Sequence, residues 1–101
     1  SKEVDILKVK DIIYKSSNKK FYIDNEEIEL THLEHDLLLE FIKNKDILLS
    51  REHLLNSVWQ DSFEKKEKTV NVAIKRLKAK IDPDAKKEYI RSIRGEGYIF
   101  C

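Results

Sequence analysis

Residues 68–80 read KTVNVAIKRLKAK. When this stretch is placed on a helix at about 100° per residue, one stripe holds its apolar side chains, Val70, Ala73, Ile74 and Leu77, with Ile81 beyond. The opposite face carries Lys68, Val72, Lys75, Arg76 and Ala79. The stretch has five basic residues and no acidic one, whereas a solvated helix surface, which is the alternative, usually mixes both signs. The pattern predicts a helix that packs by one face and offers a cationic face to an anion, with a width that fits a DNA major groove.

The composition predicts one soluble globular domain, residues 1–101, with 41% hydrophobic and 39% charged residues. No apolar run approaches the roughly 20 residues that span a bilayer, and the N-terminus lacks the apolar region of a signal peptide. The sequence contains no methionine, which favours a fragment of a longer protein. Its single cysteine, Cys101, excludes an intramolecular disulfide and is compatible with a cytoplasmic location.

The net charge of +1 argues weakly against a nucleic-acid partner, but the charges are unevenly distributed. Residues 1–50 hold 8 basic and 11 acidic side chains, while residues 51–101 hold 12 basic and 8 acidic ones. A polyanion responds to the local potential, which the summed charge conceals. The C-terminal half is therefore the candidate binding region.

The N-terminal third predicts a small antiparallel sheet. Residues 4–10 and 11–15 are rich in β-branched side chains with partial alternation. Two further short strands, Lys20 to Asp24 and Glu27 to Leu30, flank a tight turn at Asp24-Asn25-Glu26, where asparagine tolerates a positive φ.

Capping signals predict two helices before the basic stretch. Thr31 and Glu34 have the spacing of a capping box, and the helix that follows is expected to run to Asn44. Ser50 is placed to cap a second helix over about 51–60. Between the two helices, Ile47-Leu48-Leu49 is a short apolar piece that is expected to form a single strand.

The C-terminal segment predicts a β-hairpin after the basic helix. Asp82-Pro83-Asp84 ends the helix, because proline cannot continue it. Strands are expected at Tyr89 to Ile93 and at Tyr98 to Phe100. Between them lies Arg94-Gly95-Glu96-Gly97, which holds both glycines of the chain and suits a hairpin tip.

The order of elements predicts an α+β fold, a winged helix-turn-helix: an N-terminal antiparallel sheet, three helices and a C-terminal β-hairpin wing. In this interpretation the helix over 51–60 braces the basic helix, which enters the major groove. Arginine binds phosphates and can grip guanine with two hydrogen bonds. The hairpin, with Arg94 at its tip, reaches the neighbouring minor groove or backbone.

Four segments in this order resemble the output domains of OmpR/PhoB-family response regulators over essentially the full chain: residues 30–34 (LTHLE), 50–59 (SREHLLNSVW), 69–81 (TVNVAIKRLKAKI) and 93–98 (IRGEGY). The resemblance implies a four-stranded N-terminal sheet, three helices and a wing. It implies sequence-specific binding of double-stranded DNA for transcription control. It also implies an upstream receiver domain, absent here, on which a sensor kinase acts, and two copies bound head-to-tail as a homodimer on direct repeats.

Carried over position by position, the family's base-reading residues are Val72, Ala73, Lys75 and Arg76. Its DNA-backbone contacts fall on Trp59, Lys68, Thr69, Lys78, Lys80 and Tyr98, and the wing residue is Arg94. The helical wheel agrees for Lys68, Val72, Lys75 and Arg76 but places Ala73 toward the core. Two departures bear on sequence preference: Lys75 stands where many relatives carry arginine, and Glu96 stands where several carry threonine.

The segment Asp61 to Glu67 lies where some family members contact RNA polymerase, with a plain solvated loop as an equal alternative. Trp59 continues an apolar face and suits a core position, although its indole N–H is able to donate to a phosphate. His32 and His35, with the neighbouring acids, form a weak candidate for a metal site, and we expect none.

We expect no enzyme and no cofactor, because neither a nucleophile–base pair nor a cofactor fingerprint is present. The rival function is a winged-helix protein-interaction module that binds no DNA, which the near-neutral net charge favours.

Overall fold

A computed structural model describes residues 6–60 and 66–101. The N-terminal sheet contains four strands: β1 (Ile6–Val9), β2 (Ile12–Lys15), β3 (Lys20–Ile23) and β4 (Glu26–Ile28). They pair antiparallel in the order β1-β2-β3-β4, so each strand lies beside its neighbour in sequence. The predicted four-stranded sheet is confirmed, with β1 three residues shorter than the stretch that indicated it and each of the other strands one residue shorter.

The turn between β3 and β4 is set by two residues with positive φ. Asp24 has φ 52° and Asn25 has φ 68°, and Ile23 pairs directly with Glu26 across the turn. A two-residue hairpin loop with both residues in the left-handed region matches the right-handed twist of the strands. The tight turn predicted here is therefore confirmed, with Asp24 sharing the role expected of asparagine alone.

Helix α1 (His32–Lys43) begins at a complete capping box. The hydroxyl of Thr31 accepts from the backbone N–H of Glu34 at 3.2 Å, and the carboxylate of Glu34 accepts from the backbone N–H of Thr31 at 3.0 Å. These two bonds satisfy two of the donors that every helix N-terminus leaves open. Asn44 caps the C-terminal end, one residue beyond the helix, as the predicted boundary indicated.

The next two helices are α2 (Arg51–Val58) and α3 (Glu67–Ile81). Ser50 caps α2 by accepting from the backbone N–H of His53 at 3.0 Å. Helix α3 ends at Ile81, with Asp82 as its C-cap directly before Pro83, as predicted. It begins one residue earlier than the basic stretch, so its first turn contains one acid, Glu67, which suits the positive end of the helix dipole.

The C-terminal hairpin pairs β5 (Ile90–Ile93) with β6 (Gly97–Phe100). A single antiparallel bridge between Leu49 and Tyr98 adds the segment before α2 to its edge, through backbone bonds of 2.8 and 2.9 Å. The strand predicted over Ile47–Leu49 is thus reduced to one bridged residue. Ile47 and Leu48 are exposed, because only Leu49 reaches the core.

The core lies between the sheet, the three helices and the hairpin, and its largest fully buried side chains are aromatic: Tyr89, Phe21, Phe41 and Phe100. Helix α3 contributes its whole apolar stripe, Val70, Ala73, Ile74, Leu77 and Ile81, as the periodicity predicted. No helix in the described part of the chain is long and apolar enough to cross a membrane.

Candidate nucleic-acid interface

The outer face of α3 is uncovered. Lys68, Val72, Lys75 and Arg76 are all exposed, with 47% of Val72 accessible although it is apolar. Neither Lys75 nor Arg76 has an ion-pair partner among residues 6–60 and 66–101. Within that part of the chain, the hydrogen-bond donors of both side chains are therefore available for a ligand.

The stripe that buries α3 also fixes the position of Ala73. This residue is 6% exposed and belongs to the core, as the helical wheel indicated and in contrast to the carry-over from the family. The methyl group of Ala73 would contact a base only if the DNA came as close as the edge of the core. The structure thus brings Val72, Lys75 and Arg76 onto one open surface and leaves Ala73 beneath it.

Lys80 has a different partner from the one expected of it. Its ammonium lies 2.5 Å from Oε1 of Glu34, the residue that closes the capping box of α1. Burial raises the pKa of Glu34, but the bonds from Lys80 and Thr31 outweigh that effect and the pKa is lowered overall. Lys80 is therefore an internal tie between α3 and α1, and this ion pair competes with the predicted contact of its ammonium to a DNA phosphate.

The other residues predicted to contact the DNA backbone differ in how exposed they are. Lys78 and Thr69 are partly exposed on the flanks of α3. Trp59 and Tyr98 are 7% and 6% exposed, so each contributes mainly to the core. Trp59 is the C-cap of α2, and its backbone N–H donates to Leu55.

The hydroxyl of Tyr98 belongs to a cluster that joins three elements and that the sequence did not reveal. It donates to Oδ1 of Asn71 on α3 at 2.5 Å. Arg51, the first residue of α2, donates from Nε to the same oxygen at 2.9 Å and from Nη2 to the Tyr98 hydroxyl at 3.4 Å. Its guanidinium also lies over the Tyr98 ring, 4.9 Å from the centroid. We name Arg51, Asn71 and Tyr98 the wing-root cluster.

All three members of the wing-root cluster lie in segments that carried the family resemblance. Their separations in sequence are 20, 27 and 47 residues, so no local pattern indicated that they meet. The contact depends on how α2, α3 and β6 pack, which the sequence of each element does not express.

The wing has an open tip and a closely packed base. Arg94, Gly95 and Glu96 are exposed, and a Cβ built on Gly95 meets nothing within 4 Å. Gly97, at φ 146°, lies against the segment before α2, where an added Cβ would come within 2.9 Å of the carbonyl carbon of Leu49. The predicted hairpin tip is confirmed, and Arg94 is exposed in the turn between β5 and β6.

A second cluster fixes the other end of the hairpin. Asp11, in the turn between β1 and β2, accepts from the ammonium of Lys87 at 2.6 Å and from the hydroxyl of Tyr89. Burial and the bond to Asp11 raise the pKa of Tyr89 to about 12. The hairpin is therefore held at its start by the N-terminal sheet and at β6 by α2.

The histidines named as a weak metal candidate have other partners. The Nε2 atom of His35 lies 3.0 Å from the carbonyl of Lys19, and its ring packs edge-on against Tyr14 and Phe21. His32 pairs with Asp36 at 3.3 Å. Within residues 6–60 and 66–101, no three His, Cys, Asp or Glu side chains are arranged to hold a metal ion. Of the segment Asp61 to Glu67, residues 61–65 lie outside the described part of the chain.

Residues 25–100 match the family described as transcriptional regulatory protein, C terminal. The response regulator ArlR of Staphylococcus aureus is 36% identical over 95 residues, which are 94% of this chain and 43% of ArlR. The chain thus spans less than half the length of the curated relatives it matches.

Two solved structures share the fold. DrrB, an OmpR/PhoB homologue from Thermotoga maritima, has a TM-score of 0.82 at 27% identity. The match covers 94% of this chain and 43% of the DrrB chain. The DNA-binding domain of RstA from Klebsiella pneumoniae, solved in complex with the RstA box, has a TM-score of 0.84 at 22% identity. The match covers 96% of this chain and 97% of the RstA chain.

Proposed function

The chain belongs to the OmpR/PhoB type of transcriptional regulatory protein C-terminal domains, and from this membership we propose that it binds double-stranded DNA in a sequence-specific way and controls transcription as the output domain of a response regulator. The observation that carries the proposal is the open cationic face of α3 beside a wing whose tip carries Arg94. An unpaired basic helix face of this kind is electrostatically complementary to a phosphate-lined groove.

Different residues on the exposed face would contact the bases and the phosphates. Arg76 is able to form two parallel hydrogen bonds with guanine, and the methyl groups of Val72 suit a thymine methyl. Lys75 supplies a point charge in place of the planar fork of arginine, so its base preference is softer. Lys68, Thr69 and Lys78 lie where they would meet phosphates, and Arg94 would act from the wing into the adjacent groove or backbone.

Burial and internal partners limit how the other predicted residues would contact the DNA backbone. Trp59 would reach the DNA backbone only through its indole N–H, because its ring is in the core. The hydroxyl of Tyr98 already donates to Asn71, so Tyr98 would act on the backbone indirectly, through the wing-root cluster. Lys80 is left out of the proposed interface, because Glu34 holds its ammonium.

The wider setting follows from the family. We propose that the chain works in the cytoplasm as part of a longer regulator, whose receiver domain is phosphorylated by a sensor kinase. Two copies would bind direct repeats head-to-tail, since phosphorylation that pairs the receivers raises the effective concentration of the DNA-binding domains. Contact with RNA polymerase through Asp61 to Glu67 belongs to the same proposal.

A titration of labelled random duplex with this chain at two salt concentrations tests the function. We expect retardation at low salt and weaker binding at high salt, because each neutralised phosphate releases counterions. Selection from a pool of random duplexes should then enrich one sequence. A chain that fails to retard duplex even in dilute buffer would instead fit the rival protein-interaction module.

A further inference from the structure

The side-chain amide of Asn71 has an orientation that chemistry fixes. Arginine has donors and no acceptor, so the Asn71 atom that lies 2.9 Å from Nε of Arg51 must be the carbonyl oxygen. The same oxygen accepts from the Tyr98 hydroxyl at 2.5 Å. Both lone pairs of Oδ1 are therefore occupied, and a flip of the amide would lose the bond from Arg51 and set two N–H donors against each other.

The nitrogen of this amide makes no hydrogen bond within the described part of the chain. Asn71 is exposed on α3, and its side-chain hydrogen bonds there all go to Oδ1. Two N–H donors are thus presented on the recognition helix by a group whose other end is held by α2 and by the wing. Such an arrangement lowers the entropy cost of a contact, because the donor is oriented before the ligand arrives.

We propose that Asn71 is a further DNA contact, in which the wing-root cluster presents the amide nitrogen as a donor to a phosphate oxygen of the duplex. This inference rests on the proposed function. The usual recognition of adenine by asparagine needs a free carbonyl oxygen as well as the nitrogen, and in Asn71 that oxygen is used internally. The residue is left with donors only, which suits the acceptor oxygens of the backbone.

The position of Asn71 on the helix supports a backbone contact. On a helix of about 100° per residue, Asn71 lies within about 20° of Lys78 and about 100° from Val72. It therefore occupies the flank of α3 that contacts Tyr98 of the wing, about 40° from Lys75 and well away from Val72 and Arg76, which would face the bases. Contacts from a flank position fix the register of the helix in the groove and carry no sequence information.

The side-chain amide signals of the ¹⁵N-labelled chain give the direct test, with a short random-sequence duplex as the probe. We expect the Asn71 signals to shift and their exchange with water to slow when duplex is added. The matched control is Asn44, whose amide nitrogen donates within the protein to the carbonyl of Glu40 at 2.8 Å, so its signals should stay in place. Duplex binding that moves the backbone signals of Lys75 but leaves the Asn71 amide unchanged would overturn the proposal.

The substitution Asn71→Asp gives an independent test. The carboxylate keeps an acceptor for Arg51 and Tyr98, so the melting temperature should not fall, but both N–H donors are lost. We expect affinity for selected and random duplexes to fall equally, by about tenfold or more. Ala79→Asp adds the same charge to the cationic face of α3 itself without removing a donor, so its loss of affinity measures the effect of charge alone, and we expect the loss for Asn71→Asp to exceed it.

The outcomes separate this inference from the proposed function. Equal losses for Asn71→Asp and Ala79→Asp would mean that only charge matters and that the amide donates nothing. A loss confined to the selected sequence would place the contact on a base edge and overturn the assignment to phosphate. If the unaltered chain binds no duplex, the proposed function itself fails.

Discussion

The ammonium of Lys80 and the carboxylate of Glu34 are 2.5 Å apart, which ties the last turn of α3 to the first turn of α1. Only 7% of the Glu34 side chain is exposed, so its charge depends on this partner and on the Thr31 backbone N–H. The base of the recognition helix is thus fixed by an ion pair as well as by the apolar stripe.

This pair predicts a component of acid sensitivity. The pKa of Glu34 is lower in the folded protein than its ordinary value of 4.5, so its ionised form stabilises the fold above about pH 4.5. That contribution is lost as the pH falls through the folded value. Glu34→Gln keeps a side chain that is able to reach the Thr31 N–H but removes the charge. We expect a loss of about 1 kcal/mol at pH 7.

Chemical denaturation of both proteins between pH 3 and pH 7 measures the effect. The difference in free energy of unfolding between parent and Glu34→Gln should shrink toward the acid end, because the parent loses the same charge there. A difference that is constant with pH would contradict a role for the ionised carboxylate.

Lys78 and Lys80 form a matched pair for the DNA interface. Lys78→Ala should weaken binding to selected and random duplexes about equally and reduce the salt slope by about one ion, because one phosphate contact is lost. Lys80→Ala should lower stability and leave the salt slope unchanged, since its charge already faces Glu34. Gel retardation over a range of salt concentrations, with a melting curve for each variant, distinguishes the two lysines. A flattened slope for Lys80→Ala would restore it to the interface.

Arg76→Ala should cost about 1–3 kcal/mol of binding to the selected sequence and lower discrimination at one base pair. The reason is the loss of a two-bond contact to a base edge from a side chain with no competing partner in the described structure. Competition binding with single-base variants of the selected duplex measures it. If Arg76→Ala binds selected and random duplexes as the parent does, the base-reading role of this residue is wrong.

The two glycines of the wing should respond differently to alanine. Gly97→Ala forces a Cβ against the Leu49 and Ser50 backbone at a φ of 146°, so we expect a loss of about 2 kcal/mol or more of folding stability. Gly95→Ala meets open space at φ 75° and should cost only about 1 kcal/mol, the penalty for a left-handed alanine. Thermal unfolding of both variants compares them, and equal losses would show that the contact with Leu49 yields easily.

Features encoded by neighbouring residues were predictable from sequence. The capping box of Thr31 and Glu34, the Ser50 cap, the turn at Asp24 and Asn25 and the helix end before Pro83 each depend on chemistry within a few positions. The cationic face of α3 was predictable for the same reason, since helix periodicity alone separates Arg76 from Leu77.

Features that depend on which elements meet were not predictable. Lys80 and Lys78 look alike in sequence, and only the packing of α1 against the end of α3 shows that Lys80 has a carboxylate beside it. The wing-root cluster was missed in the same way, because Arg51 and Tyr98 come together only in the folded chain. The one-residue bridge at Leu49 likewise depends on the approach of β6 and not on the apolar run that contains it.

Gly97 at the base of the wing is tightly packed and Gly95 at its tip is not, so the two parts of the hairpin should differ in how well they tolerate mutation. Mutations at the base of the wing destabilise the whole fold, so we expect this part to stay constant among related sequences. Residues 94–96 are exposed, and a Cβ added at Gly95 meets nothing within 4 Å, so side chains at this tip are expected to vary with little cost to the fold. Transplanting those three residues between related regulators should therefore exchange wing preference while leaving the scaffold intact.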